Sequence, residues 1–314
     1  MAGMAPEPGA PDTAESGGAS LGYRGLVGPL LLPTWVMIGI FLVLPVLLMA
    51  VYSFLTKEFR GGVIWDFTLA AYDQFFLNRG LFGDEPPVIE WTYISIFWRS
   101  IWQAALATLI CLAVGFPTAW FIATRPPKSR AIWLFLVTIP YWVNLLIRTV
   151  SLKFLIRDNG PLNESLMAIG LISDPLPLVN TNLAVQLGLF YSYLPFMVLP
   201  IYAAVERYNF ALSEAAADLY ASRWVTLWEI VLPVVKPGII AGCILVFVPS
   251  LGAFLAPDLL GGAKTFMIGS LIDEQFRGSQ GNWPFGAAAA MILMTLVLIV
   301  LMIYARAQTR EGDR

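Results

Sequence analysis

Six long apolar stretches restrict the fold of this chain more than any other feature. Each is apolar over roughly 20 residues, the length of helix that crosses a hydrocarbon core about 30 Å thick. Isolated hydrophobic segments in lipid must satisfy their own backbone hydrogen bonds, which favours helices. We therefore predict an all-α membrane protein with six transmembrane helices, at about residues 27–55, 100–123, 131–156, 183–205, 237–260 and 285–305.

The composition agrees with lipid as the main solvent and argues against several classes of function. Hydrophobic residues make up 58% of the chain and charged residues only 13%, whereas soluble domains carry about 25% charged residues. The net charge of −2 does not suggest nucleic-acid binding. The sequence contains no histidine, and its two cysteines lie in apolar runs. These features predict no metal site and no enzymatic activity.

Charge and composition also predict the domain organisation and the orientation. Residues 1–25 are rich in Ala, Gly, Pro and Ser, which predicts a disordered tail. Residues 26–310 are predicted to form one transmembrane domain. The short turn between the second and third stretches carries Arg125, Lys128 and Arg130. Because basic residues concentrate in cytoplasmic loops, we expect this turn and both termini to be cytoplasmic.

The cytoplasmic loop 206–236 has the most distinctive sequence. Ser213 is expected to cap a short helix that begins at Glu214. Leu232-Pro233 is expected to end a second short helix, and Pro237-Gly238 to open the fifth span. Before Leu232, apolar residues recur at spacings of three and four and predict one amphipathic stripe: Trp224, Leu227, Trp228 and Val231.

This loop resembles the EAA loop of permeases in binding-protein-dependent ABC importers. The resemblance rests on Glu214-Ala215-Ala216, Asp218-Leu219, Ala221-Ser222 and Ile230-Val231-Leu232-Pro233. It implies the type I permease (MetI-like) fold, in which the loop forms a coupling helix that fits a groove on an ATPase. The residues implied in coupling are Glu214, Ala215, Ala216, Asp218, Leu219, Ala221, Leu232, Pro233 and Gly238. The family usually has glycine where this chain has Tyr220, so we expect the local turn to differ.

The same resemblance implies the other components of the machine. It implies a heterodimer with a second permease subunit, two ATPase subunits that bind ATP and magnesium, and a periplasmic substrate-binding protein. This chain itself is expected to hold no cofactor: its Gly261-Gly262-Ala263-Lys264-Thr265 lacks the glycine that precedes lysine in a phosphate-binding loop.

Further segments resemble spermidine/putrescine importer permeases. They include Pro140-Tyr141-Trp142 with Asn144, then Gly160-Pro161-Leu162-Asn163, Pro249-Ser250-Leu251-Gly252 and Asn282-Trp283-Pro284-Phe285. The resemblance implies a polyamine cargo. Related permeases for opines, phosphonates, iron or thiamine share parts of these segments, so another small solute stays open. An ion-gradient transporter is a third alternative, but mid-span carboxylates are not evident.

A polyamine carries several ammonium groups, which carboxylates and aromatic faces attract. The candidates for lining a cation pathway are Asp258, Trp142, Asn144, Tyr191 and Tyr193. Arg148 would repel a polyamine, and we expect it to pair with a loop carboxylate or a lipid headgroup.

Overall fold

A computed structural model describes residues 31–58, 62–78, 88–262, 265–277 and 281–312, with side chains to residue 306. The predicted tail at residues 1–25 lies outside these ranges. Helix α1 spans Leu31–Tyr52. Its turn Gly39–Val43 is π-helical, and the Leu44 N–H donates to the Gly39 carbonyl. This wide turn comes directly before Pro45, whose ring and missing N–H disfavour ordinary α-helical bonding there.

The chain from Tyr52 onward forms a separate unit that is almost entirely helical. Two short antiparallel hairpins flank α2 (Ala70–Phe76): β1 (Thr56–Lys57) pairs with β2 (Val63–Ile64), and β3 (Leu77–Asn78) with β4 (Val88–Ile89). The helices that follow are α3 (Trp91–Ala123), α4 (Pro127–Trp142), α5 (Leu145–Ile156), α6 (Pro161–Ala168), α7 (Asn182–Glu206), α8 (Ala211–Asp218), α9 (Arg223–Leu251), α10 (Ile268–Arg277) and α11 (Trp283–Gly312). A single π-helical turn, Pro257–Gly261, lies between α9 and α10.

Among the described residues, five helices are long and apolar enough to cross a membrane. They are α1, α3, α7, α9 and α11, and a sixth span is obtained when α4 and the segment after it count as one broken span. The prediction of six transmembrane helices in an all-α fold is confirmed on that reading. The largest boundary errors concern α3 and α9: α3 begins nine residues before the predicted start at 100, and α9 spans Arg223–Leu251 rather than 237–260.

The third predicted span is not one straight helix. The chain turns by 92° between Pro127–Trp142 and Leu145–Ala168. Val143 is extended, and the Asn144 side-chain oxygen accepts a hydrogen bond of 2.8 Å from the Leu146 N–H. An asparagine that caps a new helix satisfies a backbone donor that would otherwise be lost at the break.

Helices α3, α7 and α9 pack against one another and form the centre of the bundle. Their shared core contains buried apolar side chains from all three: Cys111, Ala119, Ile122, Met197, Ile201, Val205, Val235 and Val246. Close approach depends on small residues, because helices in lipid associate through packing rather than through exclusion of water. A Cβ added at Gly115 would lie 2.8 Å from the Met197 side chain, and one at Gly242 would lie 2.9 Å from its sulfur.

Candidate functional site

Helix α8 begins three residues before the predicted start. The side chain of Asn209 accepts a hydrogen bond of 3.1 Å from the Ala211 N–H, and the helix then runs to Asp218. Ser213 therefore lies inside the helix, where its hydroxyl is 2.6 Å from the Tyr208 hydroxyl. The prediction that Ser213 caps the helix was wrong, because Asn209 already supplies the oxygen that this end needs.

Helix α8 exposes most of the side chains that the sequence singled out. Glu214, Ala215 and Asp218 are exposed, and Glu214 lies in the first turn, where a carboxylate is favourable. Ala216 is only 6% exposed and faces the interior of this chain. This burial leaves Ala216 little surface for a partner, and its methyl group lets α8 lie close to the bundle. Its role in coupling stays a prediction.

The turn after α8 is left-handed at a tyrosine. Tyr220 has φ of 59°, the left-handed conformation that glycine adopts freely. The Tyr220 N–H donates to the Ala217 carbonyl and the Ala221 N–H to the Ala216 carbonyl, a Schellman-type ending. Tyr220 therefore adopts the positive φ that glycine would reach without cost. The tyrosine adopts the conformation at a cost of roughly 1–2 kcal/mol.

The predicted second short helix is the start of α9. Ser222 caps it by accepting a hydrogen bond from the Val225 N–H. Over Thr226–Val231 the helix is π-helical, and the Leu232 N–H donates to the Leu227 carbonyl. This register accommodates Pro233, so the helix continues to Leu251 instead of ending at Leu232-Pro233.

The four residues predicted to form one amphipathic stripe lie on two faces of α9. Leu227 and Val231 pack against the core, whereas Trp224 and Trp228 are 71% and 66% exposed. Ala221 is half-buried and, together with Trp120, lines a recess of about 350 Å³ between α3, α8 and α9. Helix α8, the turn after it and the first turns of α9 up to Val231 form a hairpin, called the α8–α9 hairpin below. The recess leaves room at the base of this hairpin.

Gly238 lies well inside α9 and is buried. A Cβ there would lie 2.4 Å from the Ala204 Cβ and 2.7 Å from the Pro200 carbonyl oxygen of α7. Gly238 was predicted to be a coupling residue, and its burial excludes direct contact with a partner. Among the described glycines, it marks the place where α9 comes closest to α7.

The bend between α4 and α5 contains a buried cation. Arg148 is 5% exposed, and its guanidinium donates hydrogen bonds of 3.2 Å and 2.7 Å to the carbonyls of Tyr141 and Val143. The rings of Tyr141 and Tyr191 lie 5.9 Å and 5.8 Å from it. The expected ion pair or headgroup contact was wrong: Arg148 instead binds the carbonyls that the break leaves free.

Arg148 is therefore expected to hold the bend in place. Replacing it by leucine removes two charge-assisted hydrogen bonds, and we expect a loss of roughly 2 kcal/mol in stability. Thermal unfolding of the purified protein in detergent measures this as a Tm lower by several degrees. The Arg157→Leu variant removes an exposed arginine from the far end of α5 and is expected to unfold within about a degree of wild type. Equal Tm values for the two variants contradict this role.

A cavity of about 110 Å³ lies between α5, α7 and the end of α9. Its lining consists of Leu145, Leu189, Ser192, Tyr193, Pro249 and residues 252–256. The Tyr193 hydroxyl donates to the Pro249 carbonyl at 3.3 Å. No carboxylate belongs to this described lining, so the cavity has little to hold a polycation tightly.

The predicted pathway residues are only partly brought together. Tyr193 lines the cavity and Tyr191 contacts Arg148. Asn144 caps α5, and Trp142 is 80% exposed just before the break. Asp258 is exposed in the turn Pro257–Gly261, which lies beyond the end of α9 and not within the span predicted at 237–260.

A buried polar group that we did not predict joins α3 to α7. Gln103 donates to the Asn182 side chain at 2.9 Å, and Gln186 donates to the Gln103 carbonyl at 3.0 Å and to its side-chain oxygen. Two glutamines within apolar runs were the signal available in the sequence, since polar side chains between spans bind one another.

The basic turn at the start of α4 contacts the end of α7. Glu206 accepts a hydrogen bond of 2.7 Å from the Tyr202 hydroxyl, and Arg130 lies 3.5 Å from the same carboxylate oxygen. This link places the basic turn at the same end of the bundle as the α8–α9 hairpin, which starts directly after α7. Within the described ranges, no three Cys, Asp or Glu side chains lie close enough to hold a metal ion.

Comparison with known proteins identifies the family of this chain. Residues 115–310 match the family model described as "Binding-protein-dependent transport system inner membrane component". The Escherichia coli K12 "Spermidine/putrescine transport system permease protein PotB" is 40% identical over 87% of this chain and 94% of its own length. The Haemophilus influenzae protein of the same description is 39% identical over 85% and 88%.

The fold also matches a solved structure. The crystal structure of a bacterial ABC transporter that imports alginate contains a chain with a TM-score of 0.67, covering 92% of this chain and 97% of its own length at 18% identity. The predicted type I (MetI-like) permease fold is confirmed. The chain therefore belongs to the family of binding-protein-dependent transport system inner membrane components, the multi-pass permease subunits of ABC importers.

Proposed function

We propose that this chain is one of two permease subunits that together form the path of polyamines, spermidine and putrescine among them, across the bacterial inner membrane. The support for the cargo is the 40% identity with PotB over 87% of the chain. The two termini and the α8–α9 hairpin are proposed to be cytoplasmic, because the hairpin shares its end of the bundle with Arg125, Lys128 and Arg130.

The α8–α9 hairpin carries the proposed coupling to a separate ATPase. It projects exposed Glu214, Ala215, Asp218 and Leu219 on a backbone that is hydrogen-bonded at both ends. A rigid projecting helix loses little freedom when it binds a groove. Half-buried Ala221 and Leu232 and the buried Ala216 and Gly238 support it from within, because they set how α8 and α9 lie on the bundle. Exposed Pro233 belongs to the same proposed coupling segment.

The remaining components follow from this assignment. A second permease completes the pathway, two ATPase subunits bind ATP and magnesium, and a periplasmic binding protein delivers the cargo. This chain catalyses no reaction and holds no cofactor. Closure of the ATPases on ATP moves the hairpin, and the bundle changes between inward and outward access.

The proposed pathway passes the aromatic residues near the bend. Tyr191 and Tyr193 offer ring faces and a hydroxyl, Trp142 and Asn144 lie at the break, and exposed Asp258 attracts cations toward it. The buried Arg148 and the absence of a carboxylate from the described cavity lining disfavour tight binding. Weak binding suits passage, because the binding protein supplies affinity.

Cargo is tested by reconstituting the complete importer in liposomes and measuring the ATPase rate with its binding protein. Spermidine or putrescine is expected to stimulate ATP hydrolysis and labelled polyamine to accumulate. Stimulation by an opine or a phosphonate instead, with no response to polyamines, overturns the cargo and leaves the permease assignment intact.

A further inference from the structure

Tyr220 stands out because its backbone is strained and its side chain contacts almost nothing in this chain. Within the described residues, only Asn180 and Tyr220 combine a positive φ with a residue other than glycine. Asparagine tolerates this conformation through its short polar side chain, but tyrosine does not. The Tyr220 side chain is 97% exposed. Nothing described within the chain compensates for the strain.

The turn itself does not require an aromatic ring at this position. Backbone hydrogen bonds from the Leu219, Tyr220 and Ala221 N–H groups end α8, and Ser222 caps α9. All of these bonds form equally well with glycine. Strain that persists without a local structural reason points to a role outside the chain.

Leu219 and Tyr220 together form an apolar tip on the hairpin. Leu219 is 81% exposed, and the tip lies between the charged residues Asp218 and Arg223. Along α9, Glu229 and Lys236 are also exposed. Because charged side chains disfavour the hydrocarbon core, that core begins beyond them, and the tip lies outside it. Hydrocarbon therefore does not cover Leu219 and Tyr220.

We propose that Tyr220, with Leu219 beside it, is an aromatic anchor that inserts into a recess on the partner ATPase. The inference rests on the proposed function, since it takes the hairpin as the docking element. The tip is continuous with the exposed acidic face of α8, so one partner surface covers both. A tyrosine held rigidly in place is a favourable anchor, because few torsions are lost on binding.

The decisive variant is Tyr220→Gly, which removes the ring while favouring the observed backbone. The permease pair, held in lipid nanodiscs, is titrated with its purified ATPase. We expect Tyr220→Gly to weaken binding by about tenfold and Tyr220→Phe, which keeps the ring, to change it by less than about threefold. Glycine relieves the strain, so the Tm of the Tyr220→Gly variant is expected to equal or exceed that of wild type.

Failure of the anchor and failure of the proposed coupling function give different results. If Tyr220→Gly binds the ATPase as tightly as wild type while Glu214→Lys does not, the anchor is wrong and the coupling role of the hairpin stands. If neither variant weakens binding, the proposed coupling function itself is wrong. A weakened Tyr220→Gly variant with undiminished Tm supports the anchor, because a purely structural role for Tyr220 predicts the opposite.

Discussion

Replacing Glu214 by lysine is expected to abolish cargo uptake while leaving the chain folded in the membrane. Glu214 is exposed in the first turn of α8, and a lysine there reverses the charge on the face proposed to bind the ATPase. Mismatched charges at such an interface cost several kcal/mol, which corresponds to a loss of about 100-fold or more in affinity. The local cost to α8 from the helix dipole is only roughly 0.3–1 kcal/mol.

Glu164 provides a matched control for this variant. Glu164 and Glu214 are both exposed first-turn carboxylates of helices with eight residues, and both follow the first helical residue by three positions. Retention of the ATPase on the membrane is measured for both charge reversals by co-purification. We expect Glu164→Lys to retain the ATPase and Glu214→Lys to lose it. Equal retention by both variants contradicts the assigned coupling face.

Gly238→Ala is expected to destabilise the bundle although alanine is the better helix former. In an exposed helix this change stabilises by roughly 0.5–1 kcal/mol. Here the new Cβ would lie 2.4 Å from the Ala204 Cβ and 2.7 Å from the Pro200 carbonyl oxygen. Overpacking of this kind costs roughly 1–3 kcal/mol, and backbone atoms cannot rotate away. Because α7 and α9 form the centre of the bundle, uptake is expected to fall as well.

The control for Gly238→Ala is Gly252→Ala at the end of α9. Gly252 has an ordinary φ of −87°, and a Cβ there would have nothing within 4 Å. Thermal unfolding in detergent is expected to give a Tm for Gly238→Ala that is lower by roughly 3–10 °C, with little change for Gly252→Ala. A Tm for Gly238→Ala at or above wild type contradicts the packing described for this crossing.

The spans were predictable from sequence, but the positions of their ends were not. Long apolar runs identify helices in lipid because no other open structure satisfies the backbone there. Pro233 and Pro237 suggested a loop before the fifth span, yet a π-helical turn lets α9 pass through them. The break after Trp142 occurs without a glycine or proline at Val143 or Asn144. Its local signals were Pro140, which lies inside the predicted span and favours a kink, and a polar asparagine in mid-run.

The candidate site was predictable in identity but not in orientation. The Glu-Ala-Ala pattern located the hairpin, whereas the burial of Ala216 and Gly238 depends on how α8 and α9 pack on the rest of the chain. Arg148 was expected at a surface because an arginine in a span normally reaches water or lipid headgroups. Carbonyls freed at the bend bind it instead, and their capture by this arginine could not be read from the sequence.

The central claim is that the α8–α9 hairpin is cytoplasmic and docks an ATPase. The most direct test is the rate at which a membrane-impermeant maleimide labels the Ala215→Cys variant, whose position is exposed on α8. We expect labelling in inside-out vesicles stripped of the ATPase, strong protection when the ATPase is added back, and none in intact spheroplasts. Labelling from the periplasmic side, or a rate in inside-out vesicles that the ATPase does not change, contradicts the account.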